Sequence, residues 1–383
     1  MSTAALLVST ATSWLGTARL PRFLAKAGFE VSLLTPKNAL AEKSRFVTNV
    51  RYLVDNATAP QWTIAFADAV AATAPQLVIP CDDMAFRLLR SLVAFPPEGM
   101  PPALALQLGS LIRDSLGEPA WYETTVDKTL LPSAAAAHGV PVPPFAVVGA
   151  LVDAEDFSLL HGWPVVLKRA YGFAGEGVAV CADRGQLAAA WAKLSPADPH
   201  GLEGRQRVRL VCQAYIPGRV LSQQIAAWNG EVVAGYAREK LMIHPQPTGP
   251  STVTRCRRVP EIEESSATLV RAFGMRGLFG FEYIVHERTG VAHLIEINRR
   301  VTSGTHNGAS IGIDLCAALY AAINGIPSTS RRSLDAGAEH IVAHFPQEWL
   351  RDPSSRHLRD ARVDAPWDEP ELFEALLALR FGS

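Results

Sequence analysis

The stretch GFEYIVHERTGVAHLIEINRR, residues 280–300, reads as two strands, 281–285 and 291–297, joined by a turn at Arg288-Thr289-Gly290. Residues two apart on a strand share a face, so Glu296 and Asn298 point the same way. Pairing across the hairpin can set Glu282 opposite them. Two carboxylates and an amide oxygen are hard ligands. They suit Mg²⁺, which takes few protein ligands and completes its shell with water and phosphate oxygens. Arg299 and Arg300 follow at once, and one of them can neutralise a transferring phosphoryl group. The alternative is a surface hairpin with solvated charges. The apolar Ile284, Leu294, Ile295 and Ile297 argue instead for a buried sheet, where unpaired carboxylates are costly.

Upstream, WPVVLKRAYGFAGEGVAVC, residues 163–181, has a strand ending in Lys168 and then a loop with Gly172, Gly175 and Gly177. A lysine offers a point charge to a phosphate oxygen, and glycines let backbone N–H groups turn inward around an anion. No Gly-Lys-Ser/Thr opens a helix here, so this is not a Walker loop. A glycine-rich hairpin turn beside a solvated lysine is the plainer alternative. Asn229-Gly230, between apolar runs, signals a further hairpin. The middle of the chain therefore reads as antiparallel sheet with helices.

The first third alternates instead. Strands at 4–8, 31–34, 51–54 and 77–79 are separated by helical patterns at 16–27 and 61–72, with another helix at 84–93. Gly28 stands where a helix C-cap belongs. This alternation implies a parallel sheet covered by helices, with ligands beyond the carboxyl ends of its strands. Residues 9–14 and 81–83 then lie near a crevice. Asp82 and Asp83 either meet substrate there or cap the helix that follows. The first loop, STATSWLG, has one glycine and lacks the dinucleotide fingerprint, which argues against a nicotinamide enzyme. Proline-rich stretches at 95–102 and 139–144 mark boundaries. After residue 325 the chain reads as helical and polar.

With 36 basic and 37 acidic residues, the chain has no cationic excess to hold a nucleic acid or an anionic membrane. Neither is expected as a partner. Five scattered cysteines without a CxxC pair argue against a disulfide framework or zinc knuckle and suit a reducing cytoplasm. The apolar run at 4–8 is too short and wrongly flanked for a signal peptide.

Together these motifs resemble the ATP-grasp superfamily, in particular its carboxylate–amine ligases similar to carbamoyl-phosphate synthase. The resemblance implies an α/β pre-ATP-grasp domain over 1–113. An α+β ATP-grasp fold follows, with a small glycine-loop subdomain over 114–210 and a central, metal-binding subdomain over 211–328. A helical C-terminal extension covers 329–383. It implies ATP and Mg²⁺ (or Mn²⁺) as cofactors. Asp127-Lys128 before GVPVPP looks like the family's entry, with Lys128 on nucleotide phosphate. VCQAYIPG, residues 211–218, resembles the adenine-binding hinge, with Gln213, Tyr215, Ile216 and Gln224 toward the nucleotide. Ala214 and Val220 stand where the family usually has acidic residues, and Asn298-Arg299-Arg300 replaces Asn-Pro-Arg. Spacing carries the functional arginine to Arg300.

REKLMIHPQPTGPSTVTRC, residues 238–256, resembles the family's loop facing the acyl-phosphate site. It makes Arg238, Lys240 and Arg255 candidates for phosphate or substrate carboxylate, or else forms a mobile polar loop. TSGTHNGASIGIDL, residues 302–315, matches the next family segment and offers His306 and Asn307 to substrate. A lone histidine in such a place is more often structural. Ser44-Arg45 matches a cleft-facing pair. The implied reaction activates a small carboxylate as an acyl phosphate and joins it to an amine of amino-acid or dipeptide type, with Lys168 and Arg300 as catalytic residues. A homodimer is consistent with the resemblance. The alternatives are an ATP-grasp kinase or carboxylase, or a non-catalytic nucleotide-binding module.

Overall fold

The structure is a computed structural model describing residues 3–172, 177–196, 209–245 and 249–379. Four strands, β1 (Thr3–Val8), β2 (Phe29–Pro36), β3 (Asn49–Leu53) and β4 (Leu77–Pro80), form an all-parallel sheet in the order β3-β2-β1-β4. Every residue of β1 is buried, which is why it reads as a continuous apolar run rather than an alternating one. The helix Leu15–Ala27 returns the chain to β2 and ends at Gly28, whose φ of 116° is the left-handed cap that glycine tolerates.

A second sheet collects β5 (Phe145–Val148), β6 (Val165–Arg169), β7 (Val178–Cys181) and β8 (Leu210–Ala214) in the antiparallel order β5-β8-β6-β7. The third is the largest. It contains β9 (Gly218–Trp228), β10 (Glu231–Ile243), β11 (Ser251–Arg257), β12 (Gly277–His286), β13 (Ala292–Asn298), β14 (Glu339–Ala343) and β15 (Arg362–Val363). Its order is β13-β12-β9-β10-β11-β14-β15. Asn229 and Gly230, at φ 52° and 75°, make the β9–β10 turn that their identities announce. A parallel α/β unit followed by two sheets that are antiparallel except at the β14–β15 edge is thus the architecture of the chain.

The C-terminal part is not helix alone. Besides the helices Gln347–Arg351, His357–Asp360 and Pro370–Leu377, it supplies β14 and β15, which extend the large sheet. That sheet is covered on both faces. Ile225, Phe281 and Tyr283 pack among Ile262, Leu269 and Val270 of the helix Pro260–Ala272. Tyr236 and Cys256 pack with Leu315 and Leu319 of the helix Leu315–Asn324 and with Leu20 and Leu24 of the first helix. The second contact locks the large sheet to the parallel unit.

Candidate active site

Strand register assembles the site. Glu282 on β12 is paired directly with Glu296 on β13 and with Ser222 on β9, and Gly280 is paired with Asn298 and Gln224. Across β10, Ser222 meets Arg238 and Gln224 meets Tyr236. Cross-strand partners share a face. One face of the large sheet therefore carries two rows, Arg238–Ser222–Glu282–Glu296 and Tyr236–Gln224–Gly280–Asn298. Two carboxylates set opposite each other repel, so their position is stabilised by cations brought from elsewhere.

Those cations come from two other segments. Lys128 Nζ lies 2.9 Å from Glu296 Oε1 and donates to Gly172 O at 3.0 Å. Lys168, at the end of β6, is buried close by. Burial pushes its ammonium down to about 8, against the opposing pull of Glu296 and Glu282. Burial disfavours ionised Glu296 too, but the Lys128 charge and hydrogen bond, with Lys168 and Arg300 beyond, hold the carboxyl below its ordinary value. Gly172 and Gly177 both follow the lysine strand, Gly177 directly before β7, and Gly175 lies outside the described residues. Gln213 is buried on the same face of the small sheet as Lys168, because Val166 opposes Gln213 while Lys168 opposes Val211.

Arg299 and Arg300 part company. Arg300 Nε donates to Asp83 Oδ2 at 2.7 Å, and its guanidinium lies 4.8 Å over the Trp14 ring. Burial opposes its charge, but Asp83 and the two glutamates outweigh burial and raise its pKa. Arg299 turns the other way, over Phe86, Tyr122 and Phe279, and donates to Leu116 O at 2.6 Å. Asp83, Arg87, Lys128, Tyr171, Gly172 and Glu296 line one cavity of about 40 Å³, where the parallel unit meets the β12–β13 hairpin. Asp82 is spent on structure: it caps Ala85 N at 2.8 Å and accepts from Ser9 and Thr10.

The remaining expected residues separate. Arg238 is buried on the carboxylate face, with Nη2 3.0 Å from His344 Nε2. Arg255 does not join it. It opposes Glu239 in the β10–β11 ladder, one residue out of phase with Arg238, and so falls on the other face, 3.6 Å from Glu339. Gln224 has its amide engaged by Thr302 and Ser222. Tyr215 is exposed, and its N–H is taken by Pro164 O at 3.3 Å, while Ile216 is half-buried. Ser44 donates to Glu369 and is buried.

His306 and Asn307 border a different cavity, about 320 Å³, against the first helix and residues 363–365. His306 Nε2 sits 2.9 Å from Asp364 Oδ2, and burial pushes this imidazole down to about 4. Asn307 and Thr254 both contact His344. Asp364 is the hub of this group: burial raises its pKa, but His306, His344 and Arg19 more than reverse that, holding it well below the carboxylate range. No local pattern flags His344 or Asp364 in the sequence. Trp14 lies in the strand-end loop that the parallel sheet places at a crevice.

Residues 127–323, just over half of the chain, match the family model described as carbamoyl-phosphate synthase L chain, ATP-binding domain. Three solved structures share the fold. The biotin carboxylase domain dimer of Hydrogenobacter thermophilus 2-oxoglutarate carboxylase, solved with MgADP, ADP and bicarbonate, is 16% identical over 89% of this chain and 74% of its own, at a TM-score of 0.66. Campylobacter jejuni biotin carboxylase, in a β,γ-ATP complex, is 15% identical over 89% and 75%, at 0.67. Staphylococcus aureus N5-carboxyaminoimidazole synthetase, complexed with ADP, is 13% identical over 88% and 81%, at 0.64.

Proposed function

The chain belongs to the family of the carbamoyl-phosphate synthase L chain, ATP-binding domain, and from that premise we propose that it uses ATP and Mg²⁺ to phosphorylate a carboxyl-type oxygen and passes the activated carbon to an amine. One observation carries this reading: Lys128, Lys168, Glu282, Glu296 and Arg300, drawn from three separate segments, converge on one cleft.

A carboxylate oxygen attacks the γ-phosphorus, the bond to the β–γ bridging oxygen breaks, and ADP leaves. The neutral amine nitrogen then attacks the acyl carbon, the C–O bond to the phosphoryl group breaks, and phosphate leaves with that electron pair and takes up the proton the nitrogen loses. Neither step needs a protein nucleophile. Lys128 and Lys168 serve as cations for the phosphate oxygens, and Arg300, steadied by Asp83 and Trp14, faces the charge that develops at the acceptor. Glu282, Glu296 and Asn298 fit Mg²⁺, because an opposed carboxylate pair beside an amide is a hard-oxygen donor set. When bound, the metal neutralises phosphate charge. Gly172 O, which accepts from Lys128, borders the 40 Å³ cavity beside Glu296.

Two acids compete for the first step. The sequence resemblance points to an organic carboxylate of amino-acid type. The structural relatives favour bicarbonate, since two are biotin carboxylases and one holds bicarbonate beside MgADP. Arg238, buried on the carboxylate face, is suited to either acid. A copy-to-copy dimer follows the 2-oxoglutarate carboxylase domain.

The test is ATP turnover against a matrix of acids and amines, with each acid labelled by ¹⁸O. ADP release with one labelled oxygen in the phosphate is the expected result, and the active acid names the branch. AMP and pyrophosphate release rejects the acyl-phosphate route. A stable phosphorylated product identifies a kinase. ATP binding without turnover, whatever the acid or amine, identifies a nucleotide-binding module.

A further inference from the structure

Arg238 is 4% exposed, two strands from Glu282 in the same row, and its Nη2 lies 3.0 Å from His344 Nε2. Among the described residues no carboxylate is paired with it. A guanidinium only donates, so the ring nitrogen facing it must accept. Thr254 Oγ1, 3.0 Å from the same nitrogen, donates there as well. Nε2 therefore carries no proton, and Nδ1 carries the single proton of a neutral imidazole.

The surroundings of Nδ1 agree with this tautomer. Asp364 Oδ2 lies 3.5 Å from it, and Asn307 Nδ2 lies 3.1 Å from it. A ring N–H facing an NH₂ would set two donors together. Asn307 therefore turns its amide oxygen, otherwise without a partner, toward Nδ1. Asp364 is fixed in turn by the Phe345 N–H at 2.5 Å and by His306 Nε2 at 2.9 Å. His344 directly follows β14, and its own backbone N–H donates to Thr252 O at 2.8 Å. One ring nitrogen is thus anchored and the other grips Arg238. Burial is the main reason the pKa of His344 is lowered, and Arg238 and Arg19 act with it against Asp364.

A histidine here has a chemical consequence. An aspartate or glutamate would fix Arg238 equally well but would cancel its charge. A neutral acceptor fixes the guanidinium and leaves its charge for an incoming anion. We propose that His344, as the Nδ1–H tautomer, is the positioning residue that holds Arg238 for the acid substrate. This rests on the reading that Arg238 binds the acid.

Two variants divide the imidazole. A glutamine amide reaches the place of Nε2 and can accept from Arg238, whereas an asparagine amide reaches only the place of Nδ1. ADP release by the full chain is measured with ammonium chloride as the amine and potassium bicarbonate or L-alanine as the acid. His344→Asn should raise KM for the active acid by about tenfold or more with KM for ATP within about twofold, and His344→Gln should keep both within about threefold of wild type. Equal rises in the acid KM of both variants would mark a merely structural role and overturn the proposal. So would an unchanged acid KM in His344→Asn. Arg238→Lys tests the underlying reading. If its acid KM is unchanged, or if neither acid drives ADP release, that reading falls and this inference with it. If its acid KM rises while His344→Asn matches wild type, this inference alone falls. Should the His344 variants fail to fold, the wild-type ring decides. Long-range ¹⁵N–¹H spectra of the histidine-labelled chain near neutral pH, assigned through ring-to-backbone correlations, should show His344 protonated at Nδ1 alone. A proton on Nε2 overturns the proposal.

Discussion

Lys128 Nζ lies 2.9 Å from Glu296 Oε1, although 168 positions separate the two in the chain. Lys128 comes from the segment entering the small sheet, and Glu296 from the far edge strand of the large one. The pair therefore joins the glycine loop to the carboxylate hairpin. Lys128 is nearly buried while Glu296 is about 29% exposed, so the bond is partly screened.

Glu296→Ala removes both this partner and a proposed metal ligand. Turnover should fall by about 10²-fold or more, the scale of losing one preorganised charge at a transition state. Lys128 keeps its bond to Gly172 O, so the fold should survive. Steady-state ADP release together with a thermal scan checks this. Near-normal ADP release from a folded variant removes the assignment.

The adjacent arginines should fail in different ways. Arg300→Ala empties the space over Trp14 and should suppress turnover with little loss of Tm. Arg299→Ala removes a side chain packed on three aromatic rings, whose charge burial has pushed down to about 10. It should destabilise the chain by roughly 2–5 kcal/mol, the range for large-to-small core changes, while the folded fraction keeps its kcat. Urea unfolding paired with activity at low denaturant separates the two. Equal stability losses would contradict the geometry.

Acid should unfold the chain through the Asp364 group. His306 has its pKa lowered by burial from 6.5 to about 4, and His344 is lowered for the same reason. The folded chain thus binds fewer protons than the unfolded chain across that window. Stability is present above pH 6.5 and is lost as pH falls toward 4. Asp364, depressed by His306, His344 and Arg19, adds loss in the same direction at lower pH. The charged groups facing His306 are Asp364 and Arg19, with His344 beside them. Tm measured against pH should slope downward across this range and flatten in His306→Gln. A pH-independent Tm would contradict it.

The sequence revealed what local chemistry encodes. The β9–β10 turn follows from Asn229-Gly230, the first helix ends at Gly28, and the Glu282–Glu296 opposition follows from a hairpin with a short turn. Register between strands distant in sequence is not local. Arg255 is separated from Arg238 by 16 residues and a loop, and only the β10–β11 pairing shows that they face opposite ways. Burial likewise decides Arg299 from Arg300, because two neighbouring guanidiniums look alike until Phe86 and Tyr122 arrive from the parallel unit. Asp364 and His344 belong to a terminal segment whose hydrogen-bond partners are assembled only by the tertiary fold.

Gly304 gives the finest test of the proposed acid-binding role of Arg238. A Cβ at this position would stand 1.6 Å from Arg238 Nη1 and 2.3 Å from Cζ, so the guanidinium must move. The backbone φ of Gly304 is not among the left-handed ones, so alanine adds a clash without dihedral strain. Because the obstructing atoms end a flexible side chain, the fold can relax by releasing Arg238 from His344. The proposed nucleotide end, Lys128 and Lys168, is untouched. Gly304→Ala should therefore raise KM for the acid by tenfold or more, the loss of about 1.4 kcal/mol from one charge-assisted contact, and leave KM for ATP within about twofold. Arg238→Lys should show the same split. Parallel rises in both KM values would mean that the clash spreads to the nucleotide end, and an unchanged acid KM would show that Arg238 does not bind the acid.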